Sequence, residues 1–600
     1  MPRGPRLSWG VVARSVSRRR PNGKSQLKSR CRGESIIMIR LSRGYLISCC
    51  PVVVGLVLAS APMARAENST ADLVVLHANV ITVDKDHPRA EALAVRDGRF
   101  TAVGTLDEIQ EWIGEKTQVI DARGKTITPG FNDAHLHPGA IYPVTSRLGP
   151  VDLRPSHVRT MDDLIRALKQ KARITPKGQW VRGSRYEDTK LGRHPTRWDL
   201  DKVSTEHPVR LSHSSGHVSA FNSLALEMAK VDKSTPDPPG GSFDRDAHGV
   251  PNGVCRERAG SMVRRAGPSS PKPTRDEILA GMRRQFEAYA SKGITSIGVA
   301  GTSLSSVRLY KQVQASGVPL RIYVMLRSLT ELKRQRESHR LGDEWLKLGC
   351  VKIFHGNSLS GQTCWLYEPY ANRPDYYGIK PARSQRSLNQ RILDIHEAGF
   401  QVAVHSNGDR EIDMVLDAIE KALEKSPRDN HRHRIEHCSV VNPRILERIK
   451  RLGVVVAPHS YVYEHGDKME AYGADRCDMM HPNRSALELS IPVAGTSDSP
   501  VSEACPLLRI QSMVTRRTAA GKVYGARQKV TPEQAISIWT LGSAYASFDE
   551  DEKGSIEVGK LADFVVLSAD PTQVAPETIK TIQVEKTLIG GKVVFERGSK

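Results

Sequence analysis

The run TPGFNDAHLH, residues 128–137, ends in two histidines two positions apart, His135 and His137. On a strand, residues i and i+2 share a face. Two imidazoles so placed can meet on one metal ion. Alone, such a pair is as readily an ordinary polar strand end. The rest of the chain gives it weight.

Short apolar, β-branched runs recur downstream and alternate with helical stretches, the rhythm of parallel βα units. Counting 127–135, the strand candidates are 294–300, 320–326, 350–356, 400–406, 433–438, 453–459 and 491–497. That makes the eight of a (β/α)8 TIM-type barrel, whose active sites lie at the C-terminal strand ends. Helical stretches such as RDEILAGMRRQFEAYASKG (275–293) and NQRILDIHEAGF (389–400) fall between them. The segment 139–290 is too long for one crossover, so it reads as a large insertion after the first barrel strand, a lobe over the barrel mouth. Residues 67–128 and 553–600 are β-type runs broken by Asp-Gly and Gly turns. They are expected to form one small composite β-sandwich, with the barrel spanning 129–552.

Four more polar residues sit in or at the ends of later strands. Lys352 lies inside the apolar run CVKIF, where a lone ammonium needs a partner or a modification. Carbamylation by CO2 would make it an anionic bridging ligand; a salt bridge inside the barrel is the alternative. His405 closes FQVAVH and His437 closes HRIEH. Asp498 follows IPVAGTS and would otherwise be a helix N-cap ahead of Ser499-Pro500. Each alone has an ordinary structural explanation. Six ligand-type residues at the ends of strands one, four, five, six and eight do not. His217 and Asn222 in the insertion, and His459 after strand seven, are candidate substrate-binding residues, each with a structural alternative. Glu257 reads as structural. By alternation, Glu436 and Cys438 should face away from His437, with Glu436 making a buried pair.

The formal charge is +22, but residues 1–66 carry +12 of it, leaving +10 for all the rest with no long basic block. Aromatic content is 5%. Neither favours nucleic-acid binding. Within 38–66, Arg40 and Arg43 precede an apolar stretch, Leu46 to Ala61, and the triplet Ala64-Arg65-Ala66. That is the form of a secretory signal peptide, so export to the periplasm or the medium is expected, without a stable membrane span after cleavage. Residues 1–37 read as a basic leader or as sequence upstream of a start at Met38. Nine cysteines are scattered without a CxxC pair, so no structural zinc site is suggested.

Taken together, these motifs resemble the amidohydrolase superfamily, in the branch that includes N-substituted formamide deformylases. Besides TPGFNDAHLH, the resemblance rests on VKIF, VAVHSNGDREID, HRIEHC and GTSDSP in order. WVRGSRYED, PTRWDLD, HPVRLSHSSGHVSAFNSLAL and VPNGVCRE resemble the branch's insertion, and TPEQAISIWTLGSAYA and GSIEVGKLADFVVL its closing elements. The resemblance implies a site for two divalent ions, zinc first, with manganese, iron or cobalt as substitutes. His135, His137 and Asp498 would hold one ion, His405 and His437 the other, and carboxylated Lys352 would bridge. Asp498 would also be the catalytic base and then acid, in hydrolysis of an amide or N-acyl/N-formyl C–N bond of a small molecule. One departure stands out: where the branch often carries Asp-Gly after the strand-four lysine, this chain reads KIFHGNSLSG, with His355 and Asn357. The alternatives are a deaminase or cyclic-amide or lactone hydrolase on the same barrel, and a barrel protein without catalysis. A homodimer is compatible with the sequence.

Overall fold

The computed structural model describes residues 70–599 apart from 156 and 340. The leader and export signal read at 1–66 lie outside the described residues. The fold is α/β. Seven parallel strands form the barrel sheet: β1 (Phe131–Leu136), β2 (Ile294–Thr302), β3 (Arg321–Leu326), β4 (Leu346–Phe354), β5 (Gln401–Ser406), β6 (Arg434–His437) and β7 (Val455–Pro458). Each pairs in parallel with its chain neighbour.

The eighth strand expected at 491–497 does not form a regular ladder. It closes the barrel through a single parallel bridge, Val456 to Val493, and through isolated bonds. The Ala134 N–H donates to Gly495 at 2.9 Å and the Asp498 N–H to His135 at 2.9 Å. Pro492 has no N–H to give, and Gly495 lies against the Trp539 ring, where a Cβ would sit 2.7 Å from it. The segment is therefore pinned by side-chain packing more than by a ladder.

The outer faces of the strands are apolar and meet the helices. In the helix Asp409–Lys425, Ile412, Val415, Leu416, Ile419 and Ala422 are buried, the spacing of a one-sided helix. The helix Arg275–Ala290 is started by a Thr274–Glu277 capping box and buries Met282, Phe286 and Tyr289 against the same core. It is thus a barrel helix, and the insertion ends before it, earlier than the expected boundary near 290. The barrel interior holds Tyr323, Gln401, Arg434 and Glu436, joined by hydrogen bonds.

The insertion builds a six-stranded sheet ordered Gly241–Arg245, Pro251–Glu257, Val218–Phe221, Val209–His213, Val181–Tyr186, Val151–Asp152. The two ends of the described residues meet in two further sheets. Thr126–Pro129 pairs with Asn79–Ile81 and, antiparallel, with Phe564–Leu567. Leu73, Val95, Ile127, Phe564 and Leu588 share one core between these sheets. The run 127–135, read as one strand, is therefore two: its first part belongs to this module and the chain turns at Gly130, where a Cβ would collide with Thr295. Buried Arg321 donates from Nε at 2.6 Å to Asp563 and fixes the module to the barrel. The six cysteines among the described residues are free. Among the described residues no helix is long and apolar enough to cross a membrane.

Candidate metal centre

His135 stands on β1 and His137 just beyond it, at the C-terminal mouth of the barrel. His135 is buried, and its Nδ1 is hydrogen-bonded to Glu436, which fixes the ring and turns Nε2 into the barrel mouth. There Nε2 lies 3.5 Å from Asp498 Oδ1 and 3.5 Å from Lys352 Nζ. His137 Nε2 lies 3.3 Å from the same Asp498 oxygen. A carboxylate behind a histidine, orienting its free nitrogen, is the usual support of a metal-binding imidazole.

His405 leaves β5 with Nε2 bonded at 3.0 Å to the Asn357 carbonyl. Its Nδ1 has no partner among the described residues. The His437 ring lies 4.9 Å from that of His135, 4.5 Å from that of His405, and is stacked at 4.2 Å on that of His459. His437 Nδ1 and His459 Nδ1 are buried without hydrogen-bond partners. His135, His137 and Asp498 place one donor atom each within 4.8 Å of one another, and so do His437, His459 and Asp498.

Strand alternation would send His437 and Glu436 to opposite faces. Both turn inward, because His437 has φ 75° and Cys438 φ 39°. Asp498 is likewise left-handed, at φ 54°. Non-glycine residues held there are strained, and such strain gathers at functional sites. Cys438 does face the outer core. Glu436 was expected to face away in a buried pair; the pair forms, with Arg434, whose Nη2 donates to it at 3.0 Å, but the carboxylate also reaches His135.

Burial sets the protonation states. It pushes the His135 imidazole down to about 4 and holds His405 and His437 well below the usual histidine range. All three are neutral, with lone pairs free. Burial also lowers the Lys352 ammonium to about 8, though Glu436 and Asp498 oppose this. Lys352 is 3% exposed and has no carboxylate within ion-pair distance among the described residues. Burial alone would raise Asp498, but the hydrogen bond from His137 and the imidazoles of His135 and His137 beside it outweigh this and keep the carboxyl below its ordinary range. The donor set of neutral imidazoles and an ionised carboxylate suits a divalent ion such as zinc.

Of the residues read as substrate-binding, His217 sits at the centre, its ring 5.6 Å from that of His405. Its Nδ1 is 2.8 Å from Glu257. Glu257 thus bears on the site through His217. Burial would lower His217, but Glu257 outweighs this and raises it. His459 also lies at the centre. Asn222 does not. It is buried in the lobe, where its side chain caps the helix Ser223–Met228 and bonds Val209, Ser204 and His207. A polar residue after a strand suits a cap as well as a ligand contact, and here the cap has taken all its bonding groups.

Sequence reasoning left Glu436 out of the site. Its signal was present: Arg434 and Glu436 share one face of a buried strand, and two buried charges must pair. No such signal marked the Asn357 carbonyl, whose role depends on the fold of a loop. A third donor group, Glu187, Asp188 and His213, already holds a cation: the Lys468 ammonium bonds Asp188 and lies 3.7 Å from Glu187. It joins the lobe to the barrel as an ion-pair network. The cavity of about 750 Å³ near Phe400, Gln401 and Asn430 opens at the strand starts, away from these ligands.

The Amidohydrolase family profile matches residues 118–595. The chain belongs to the amidohydrolase family. It is 30% identical to the amidohydrolase-family protein YtcJ of Bacillus subtilis (strain 168), over 86% of this chain and 98% of that one. It is 29% identical to the N-substituted formamide deformylase of Arthrobacter pascens, over 88% and 98%. The solved structure of an uncharacterized metal-dependent hydrolase from Pyrococcus furiosus superposes with a TM-score of 0.62 at 26% identity, covering 84% of this chain and all of that one. As an amidohydrolase, the protein is a metal-dependent enzyme that hydrolyses carbon–nitrogen bonds of small molecules.

Proposed function

We propose that this amidohydrolase cleaves a linear amide, of N-acyl or N-formyl type, with two divalent ions. His135, His137 and Asp498 would hold one ion, His405 and His437 the other, and Lys352, as a carbamate, would supply an anionic ligand between them. The observation that carries this reading is Lys352: a buried amine without an acidic partner among the described residues, 3.5 Å from His135 Nε2. A structural lysine in that place would be paired. A neutral amine can instead add CO2, releasing a proton and gaining the negative charge that two cations need. The N-substituted formamide deformylase among the relatives supports a linear substrate.

When bound, the ions would polarise a carbonyl and lower the pKa of a water molecule; zinc suits the nitrogen-rich donor set. The chain supplies the rest. Asp498, ionised at neutral pH, takes the proton of the attacking water and returns it to the departing nitrogen. His459, neutral and lodged beside Asp498, can hydrogen-bond the carbonyl oxygen. Glu436 keeps the His135 Nε2 lone pair turned to the site.

Lys352→Ala tests the reading. Elemental analysis should find two ions per chain in the native protein and one or fewer in the variant, with activity lost. Two ions and undiminished activity in the variant would sink it. The signal-peptide form of 38–66 supports an exported enzyme; a secreted or periplasmic chain beginning at Glu67 is the expected result of N-terminal sequencing, and an uncleaved intracellular chain would refute it.

A further inference from the structure

A cavity of about 390 Å³ adjoins the metal centre, with His217, Phe354, His355 and Asn357 in its wall. That is within the range of small-molecule sites. Three cationic side chains also line it. Arg258 comes from the lobe helix, Lys380 and Arg383 from the segment after the β4 loop. Among the described residues none of the three lies within ion-pair distance of a carboxylate. The one acid in the wall, Glu257, is taken up by His217 Nδ1 at 2.8 Å and by the Thr363 hydroxyl at 2.7 Å. His355 is only 2% exposed, yet neither of its ring nitrogens has a hydrogen-bond partner. Arg383 Nε is also buried and unpartnered. Buried polar groups are ordinarily satisfied, so these donors stand ready for an acceptor. Phe354, 49% exposed at the end of β4, adds an apolar surface to the same wall.

We propose that this pocket receives a carboxylate carried by the substrate, anchored by Arg383 and Arg258 with His355, so that the amide cleaved belongs to an N-acyl amino acid. The proposal rests on the linear-amide reading above. The planar guanidinium fork matches a carboxylate with two parallel hydrogen bonds. Lys380 adds charge at the rim, and Phe354 offers an apolar contact for the side chain or acyl group. His355 is the residue that departs from the Asp-Gly pattern in KIFHGNSLSG. An aspartate there would set a negative charge against the incoming carboxylate, whereas an imidazole can donate to it.

The test compares racemic N-acetylmethionine with racemic N-acetylmethioninamide on the metal-reconstituted enzyme. The two differ by one charge. The acid should be preferred by about tenfold or more in kcat/KM, as expected for a charge-assisted anchor. Arg258→Gln/Arg383→Gln should abolish the preference through KM, with kcat kept, and Arg383→Lys should retain part of it. Calorimetric binding of hexanoate, which has no bond to cleave, should weaken about tenfold in the double variant. Equal hydrolysis of acid and amide, or hexanoate binding unchanged in the variant, overturns the pocket. If neither amide is hydrolysed but hexanoate binding depends on the arginines, the anion pocket stands and the linear-amide reading falls. If neither amide is hydrolysed and hexanoate binding does not depend on them, the pocket falls.

Discussion

Glu436→Gln should separate the orientation of a metal ligand from the stability of the barrel. Glu436 is wholly buried, bonded through Oε2 to His135 Nδ1 and through Oε1 at 2.5 Å to Arg434 Nε. Glutamine keeps the shape but not the charge. Its amide N–H2 can donate to His135 Nδ1, which would place the imidazole proton on Nε2, where the metal must bind. Loss of such a supporting partner costs about 10–100-fold in metal affinity, or roughly 1.4–2.8 kcal/mol. A second effect falls on buried Arg434, which keeps the glutamine carbonyl at Nε and the Ala134 carbonyl, at 3.1 Å, at Nη2 but loses its counter-charge. Removing one partner of a buried ion pair costs about 3–5 kcal/mol of stability. Arg434→Met/Glu436→Gln separates the two, since it removes the stranded charge without restoring the orientation. The single variant should lose both thermal stability and zinc affinity, read against a competing chelator; the double variant should recover most of the stability and none of the affinity. A folded single variant that binds zinc as tightly as the native protein would refute the reasoning.

Asn222→Ala should leave a different signature. The amide oxygen accepts from Val209 N at 2.9 Å and Ala225 N at 3.2 Å, and its nitrogen serves two carbonyls. Stability should fall by about 1–3 kcal/mol, the penalty for unsatisfied buried groups, with metal content and kcat/KM unchanged well below Tm; a selective rise in KM would restore Asn222 to the substrate site. The pH dependence follows from the neutral histidines. His135 is lowered by burial from 6.5 to about 4, so between these values the unfolded chain binds more protons than the folded one. Stability should thus be full above about 6.5 and fall as pH drops towards 4. Asp498 and Glu436, held below the carboxylate range, extend the loss to lower pH. Chelator-treated protein whose Tm rises on acidification from pH 7 to 5 would contradict this assignment.

Much of the candidate site was legible because its candidate ligands come from strand ends. His135, Lys352, His405 and His437 each lie in or close a run whose apolar alternation marks it as a strand, and parallel βα order then brings those ends to one mouth. Legibility stopped where alternation did. Positive φ at His437 lets it and Glu436 both turn inward, where the two-residue period sends Glu436 out, and no local composition announces that twist. The same limit explains the eighth strand, whose apolar run is real but whose ladder is interrupted at Pro492, and the split at Gly130, which is fixed by contact with Thr295 some 165 positions away.

The pair in TPGFNDAHLH by itself determined that two imidazoles lie close together at the end of a strand, and the periodicity around it determined the class of fold. Only the tertiary structure decided which nitrogen of His135 faces the site, because Glu436 comes from a strand 300 positions later. It alone placed His217 and Glu257 of the lobe over His405 while keeping Asn222 as a cap, and it alone gathered Arg258, Lys380 and Arg383 around His355. Local sequence carries the period of the backbone and the chemistry of each side chain. The partner that orients a ligand, and the charge that faces a pocket, arise from contacts between distant segments.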